Sequence, residues 1–212
     1  MISKEQERTE EKETGRLEAF SDGVFAVAIT LLIFQIPIPH GGSLLKQLGG
    51  QWPFYTAYVV SFLTILIMWV NHHALFRLIH RTDHLFLILN GLLLMLITFV
   101  NYPTAVLAEY IEGSDGRIAA MLYSGTFIVI AVLYNLLWRY ASGSHRLLSK
   151  RADPLLIATI TRQYRFGPLF YVVTFLLAII NAPTSLAVNT LLALYWAFAG
   201  RAKSPKTEAG AR

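Results

Sequence analysis

Ionisable and polar side chains inside long apolar runs carry whatever chemistry this 212-residue chain can do. Asp22 lies in a run that begins at Leu17, and His72 and His73 lie near the end of a second run, beside Trp69 and Asn71. A carboxylate beside an imidazole in a medium of low dielectric can titrate near neutral pH and pass a proton or cation. The same groups can instead satisfy one another and fix helix packing. Asn90, in a third run, adds an amide to either arrangement. His72, His73, His80 and His84 also invite a metal reading. Only His80 and His84 share i, i+4 spacing, and they fall around a short loop. With no cysteine and no HExxH string, no metal site is expected. Nucleophilic catalysis lacks a GxSxG elbow or comparable motif, so no enzyme activity is expected either.

The elements that hold these groups are membrane spans. Apolar residues make up 55% of the chain and charged residues 15%, against about 25% charged in a soluble domain. Six acidic and four basic residues crowd into the first 18 positions, and most other basic residues sit between apolar runs. Six segments, approximately 17–38, 53–76, 85–108, 118–138, 167–181 and 183–200, are apolar enough to cross roughly 30 Å of hydrocarbon. The last two are short and share the Asn181-Ala182-Pro183-Thr184 break, which reads as a tight helical hairpin. An even number of spans puts both termini on one side. That side receives 16 Lys and Arg, while the other receives only Lys46 and Arg117. The positive-inside rule makes both termini cytoplasmic. It also accounts for the net charge of +5 without nucleic acid.

The expected organisation is a cytoplasmic N-terminal segment 1–16, a transmembrane domain 17–200 and a cytoplasmic tail 201–212. The chain is then an all-α, multi-pass protein of the inner cell membrane, with the lipid bilayer as its surroundings. The longest connection, 139–165, contains a weakly amphipathic stretch at 154–163, expected to lie on the inner surface as a short helix. There is no nucleotide loop and no inverted repeat.

Helical rise places the polar groups at one depth. Asp22 falls roughly 9 Å inside Arg16, the two histidines roughly 6–8 Å above Arg77, and Asn90 roughly 10 Å beyond Asp83. Ser21, Asp22, Asn71, His72 or His73, and Asn90 thus meet in the inner leaflet, with Trp69 one turn further up as a donor. Transporter coupling sites lie near the midplane, so the interfacial depth favours a hydrogen-bonded clamp over a relay. Beyond Asp22, Val27, Leu31 and Phe34 form one helical stripe, with Ala26 and Thr30 beside it. On periodicity alone this is a core-packing face. Were the helix to face a symmetry axis, the same residues would form stacked apolar rings that close a pore by dewetting.

Arg16-Leu17-Glu18-Ala19-Phe20-Ser21-Asp22-Gly23 resembles the RxxxFSD signature of the transmembrane protein 175 family, potassium-permeable channels of bacterial membranes and animal endosomes and lysosomes. Trp69-Val70-Asn71-His72-His73, Phe76, Arg81, Asp83, Asn90, Tyr102-Pro103-Thr104 and Gly167-Pro168 extend the likeness over about five of the six segments. The resemblance implies a homotetramer of six-helix subunits whose first helix lines a central pore. It implies no carbonyl filter loop, and the sequence has no TVGYG-like string. It also implies a constriction at Val27, Leu31 and Phe34, a selectivity role for Thr30, and a packing network built on Arg16, Phe20, Ser21, Asp22, Trp69, His72 and Asn90. Two positions depart from the family: Val27 is smaller than the usual isoleucine or leucine, and Phe34 replaces an aliphatic residue.

The resulting expectation is a potassium-permeable cation channel with a hydrophobic gate and no cofactor, its partners being lipid, monovalent cations and further copies of itself. Selectivity over sodium would be modest, because threonine hydroxyls and apolar rings impose a weaker field than stacked carbonyls. The alternatives are a proton-coupled secondary transporter using Asp22 and His72, and a structural membrane scaffold.

Overall fold

The structure, a computed structural model, describes residues 4–143, 147–149 and 152–199, and side chains from 14 to 197 within those ranges. The tail 201–212 lies outside the described residues, as do Arg146, Lys150 and Arg151 of the inner connection. In chain order the helices are α1 (Lys4–Leu31), running on into a 3-10 turn (Leu32–Gln35), α2 (Leu44–Gly50), α3 (Trp52–Phe76), α4 (His84–Phe99), α5 (Asn101–Tyr110), α6 (Gly116–Ser142), α7 (Pro154–Ile180) and α8 (Ala182–Ala199). No strand occurs among the described residues beyond one isolated bridge, Ile79 with Leu148. Helix α1 starts at Lys4, so most of the segment expected before the first span belongs to the same helix.

Five stretches are helical, long and apolar enough to cross a membrane: Thr14–Gln35, Trp52–Phe76, His84–Tyr110, Gly116–Ser142 and Pro154–Ile180. The sixth expected span corresponds to α8, an 18-residue helix about 27 Å long at the usual rise. It folds back on α7 and also packs on α3 and α6. The turn between them is made by Asn181, whose Oδ1 accepts from Thr184 N at 2.8 Å and caps α8.

Proline and aspartate set the breaks. Pro37 and Pro39 follow the 3-10 turn, and Gly41 and Gly42 supply positive φ values of 78° and 68° that side-chain-bearing residues rarely adopt. Asp83 caps α4 by accepting from Phe86 N at 3.0 Å, while its other oxygen takes the Tyr140 hydroxyl of α6 at 2.6 Å. The third span is broken: Pro103 has no N–H, and its ring crowds the carbonyl four residues back, so α4 stops at Phe99 and α5 restarts at Asn101.

The amphipathic stretch at 154–163 is not a separate surface helix. Helix α7 is continuous for 27 residues, about 40 Å and longer than the hydrocarbon core. Its continuity through Pro168 has a local cause. Pro168 leaves the Tyr164 carbonyl without its helical donor, and Asn135 of α6 supplies one, Nδ2 to Tyr164 O at 2.6 Å. Trp138 of α6 donates to Thr161 Oγ1 at 2.8 Å, and Tyr134 stacks on Tyr164 at 6.0 Å. These contacts tie the helix to α6 at Thr161 and Tyr164, while residues 154–163 themselves stay partly or fully exposed.

Helix α6 is the centre of the molecule, with Tyr123, Phe127, Ile130 and Trp138 fully buried. Two directed chains of hydroxyls tie it to its neighbours. Thr104 donates to Val100 O, so Ser61 must donate to Thr104 at 2.8 Å and Tyr123 to Ser61 at 3.1 Å. Ser185 donates to Thr174 O, so Ser124 donates to Ser185 at 3.0 Å, and Asn189 in turn donates to Ser124.

Asn135→Leu strands the Tyr164 carbonyl and is expected to cost about 1–3 kcal/mol. In a Pro168→Ala background the cost should shrink, because alanine at that position restores the helical N–H. Thermal unfolding of the four proteins of this double-mutant cycle in one detergent checks the coupling. Equal costs in both backgrounds would contradict it.

Candidate functional site

Helix α1 presents two unlike faces. Ser21, Phe25, Ala28 and Leu32 are buried against α3, α4 and the start of α5. Their spacings of four, three and four residues keep them on one side of the helix. On the other side Phe20, Val27, Leu31 and Phe34 are 63, 53, 42 and 79% exposed. The stripe of Val27, Leu31 and Phe34 therefore is not the core-packing face that periodicity alone favours; that role falls to Phe25, Ala28 and Leu32. Gly23, Ala26 and Thr30 share the exposed side. The Thr30 hydroxyl donates to Val27 O at 3.0 Å. Its proton is thus committed to the helix.

The inner half of α1 is pinned by polar contacts. Ser21 Oγ donates to Leu17 O at 2.8 Å and accepts from Asn90 Nδ2 at 3.0 Å. With that nitrogen engaged, Asn90 Oδ1 accepts from His72 Nε2 at 2.9 Å, which fixes the imidazole tautomer. His72 is fully buried, stacked on Phe76 at 4.3 Å and tilted against Phe25 at 5.2 Å. Its Nδ1 has no partner among the described residues. Among the described residues Asp22 is not hydrogen-bonded to His72. Its Oδ1 accepts from the Trp69 indole at 2.8 Å, because one helical turn separates Trp69 and His72 on α3 and Asp22 meets the former.

Beside this pair lies a second that the sequence reading missed. His73 Nδ1 meets Glu18 Oε1 at 2.9 Å, and the His73 ring stacks on Trp69 at 6.0 Å. The i, i+4 spacing of Glu18 and Asp22 on one helix, matched by Trp69 and His73 on the other, is the signal that could have found it. Arg16 and Phe20 are exposed and stand outside these hydrogen bonds, next to an open pocket also lined by Leu17, Asp83, His84 and Leu87. Asn71 faces away, into a cavity with Tyr134, Tyr164 and Trp196. Among the described residues no group of three or more His, Asp or Glu comes together to hold a metal.

Chemically the Ser21–Asn90–His72 chain is a clamp. Its central member is an amide, which neither gains nor loses a proton near neutral pH, and the chain ends on a backbone carbonyl. It links α1, α4 and α3 by hydrogen bonds.

Residues 16–100 match the family described as Endosomal/lysosomal potassium channel TMEM175. A Chamaesiphon minutus protein named as a potassium channel is 49% identical over 201 residues, covering 92% of this chain and 99% of its own. A Streptomyces collinus protein of the same description is 44% identical over 203 residues, 94% of this chain and 98% of its own. The crystal structure of a lysosomal potassium-selective channel TMEM175 homologue from Chamaesiphon minutus superposes with a TM-score of 0.83 at 47% identity, over 90% of this chain and 100% of that one.

Asn90→Leu is expected to leave His72 Nε2–H without its acceptor inside the bundle, at a cost of about 1–3 kcal/mol. Asp22→Asn retains an acceptor for Trp69 and should remain within about 1 kcal/mol of the parent. Melting temperatures in detergent should fall clearly for the first and little for the second. The reverse order would show that the Asp22 charge, not the amide clamp, holds α1.

Proposed function

This chain belongs to the TMEM175 family and is an integral, multi-pass membrane protein, and from that premise we propose that it is a subunit of a potassium-permeable cation channel. Four copies surround a central pore, and α1 lines it. The observation that carries this reading is the outward face of α1. Its inner side is locked by Asn90, Trp69 and buried Phe25, Ala28 and Leu32, while Val27, Thr30, Leu31 and Phe34 are left uncovered by their own subunit.

Around a symmetry axis that face forms apolar rings at Val27, Leu31 and Phe34, each too greasy and narrow for stable water, so the closed pore is dry. Thr30 places four hydroxyl oxygens between the rings. Hydroxyls in that number give only a weak field, in keeping with modest preference for potassium and with the lack of a TVGYG-like string. The smaller Val27 makes the inner ring the looser one. Arg16, Ser21, Asp22, Trp69, His72 and Asn90 orient the pore helix, with Phe20 at its inner end. The pairing of Asp22 with Trp69 and of His72 with Asn90 supports this role over proton coupling through the two ionisable residues. The distribution of Lys and Arg supports cytoplasmic termini in the inner cell membrane, and the permeant potassium ion needs no cofactor.

The test is electrical. The purified protein should be a tetramer and carry a current in planar bilayers that reverses toward the potassium equilibrium potential under asymmetric potassium and sodium. Val27→Ser and Leu31→Ser should raise basal current severalfold by wetting the rings. Leu32 is a poor control because it is fully buried, and Leu176→Ser, on the exposed side of α7, should leave the current near that of the parent. A monomer in native-like lipid, or silent bilayers containing inserted protein, would contradict the channel reading.

A further inference from the structure

Asn101 opens α5 immediately beyond the break at Val100 and is only 9% exposed. Its Nδ2 donates to the Ala28 carbonyl of α1 at 3.2 Å and to the Thr98 carbonyl beside the break at 3.0 Å. Its Oδ1 is buried with no partner among the described residues. The orientation of the amide is therefore forced, since turning it over would set Oδ1 against two carbonyl oxygens. A buried acceptor without a donor is unfavourable. The two bonds from Nδ2 offset that cost, and one of them ties α5 to α1 at Ala28.

Ala28 follows Val27 and begins the last turn of α1, just before the chain tightens into the 3-10 turn Leu32–Gln35. That turn packs on α3 and α5, with Leu32 fully buried. The stretch bearing Val27, Thr30, Leu31 and Phe34 is thus held laterally at one carbonyl, from the elbow that Pro103 creates between α4 and α5.

We infer that Asn101 is the positioning residue of the gate: its amide fixes the rotation of the Ala28 turn against the α4–α5 elbow, so that movement of the elbow turns the Val27–Leu31 face. The consequence for conduction rests on the channel reading above; the coupling of the elbow to the rotation of α1 does not.

The chain has no cysteine, so Val27→Cys gives a single reporter in the full-length protein reconstituted in liposomes. Two quantities are read: the rate at which the introduced thiol reacts with a small water-soluble methanethiosulfonate, and the potassium-to-sodium permeability ratio from reversal potentials. Asn101→Leu keeps the size and removes the donor, and Asn101→Gln keeps an amide on a longer arm. The leucine variant should change the thiol's reaction rate about tenfold and the permeability ratio at least twofold, with the glutamine variant between it and the parent. Pro103→Ala, which leaves Asn101 intact and straightens the elbow, should also shift the reaction rate, so the inference stays testable should Asn101→Leu fail to assemble. A conducting parent whose thiol reactivity and permeability ratio are untouched by every one of these changes would overturn the inference and leave the channel reading standing. A parent that passes no ions, but whose thiol reactivity still follows Asn101 and Pro103, would sink the channel reading and leave the coupling standing.

Discussion

Inside hydrocarbon there is no water to take up a donor or acceptor left over by packing, so polar side chains in this bundle turn to one another across helices or back to backbone carbonyls. Ser21, Asn90 and His72 form one such chain, joining α1, α4 and α3. Tyr123, Ser61 and Thr104 form a second, joining α6, α3 and α5, and Asn189, Ser124 and Ser185 a third, joining α8 and α6. Every chain ends on a backbone carbonyl, at Leu17, Val100 or Thr174. Each link between transmembrane helices contributes only about 0.6–2 kcal/mol. Direction matters more than depth of energy: a hydroxyl has one proton to give, so fixing the last donor fixes all the others.

The same constraint explains why α1 is asymmetric. Its polar contacts to other helices lie on the side of Ser21, Asp22 and Ala28, and they reach α3, α4 and α5. Val27 and Phe34 keep more than half of their surface uncovered, and apolar exposure alone would be ordinary on a lipid-facing helix. What sets this face apart is Thr30 among the apolar side chains, with its proton turned back to Val27, and the small residues Gly23 and Ala26 on the same side.

How much of this is legible beforehand follows from which interactions are local. The spans, the breaks at proline and the depth of Ser21, Asp22, His72 and Asn90 depend on composition and on the rise of a helix, so the sequence exposes them. The partner assignments depend on helix rotation: one turn along α3 decides between Trp69 and His72 for Asp22, and periodicity gives no phase relative to a neighbour. The outward turn of Val27, Leu31 and Phe34 is hidden for the same reason, since an apolar stripe fits a core, a lipid face and a pore equally well. Helix α7 defeats a local reading because Thr161, within the amphipathic stretch at 154–163, finds a polar partner on α6, and Asn135 stands opposite the carbonyl that Pro168 orphans. Asn101 stands out two residues before Pro103, but only the fold shows that it reaches α1.

The central claim is that the exposed face of α1 borders the path of the ion. X-ray diffraction from crystals of the assembled protein grown in a caesium salt measures this most directly, because anomalous scattering locates the ion independently of any channel assay. The account predicts caesium peaks on the symmetry axis of the oligomer at the level of Thr30 and below it, with Val27, Leu31 and Phe34 pointing at that axis. Lipid chains packed on those three side chains, with ion density between other helices or none along the axis, would contradict it.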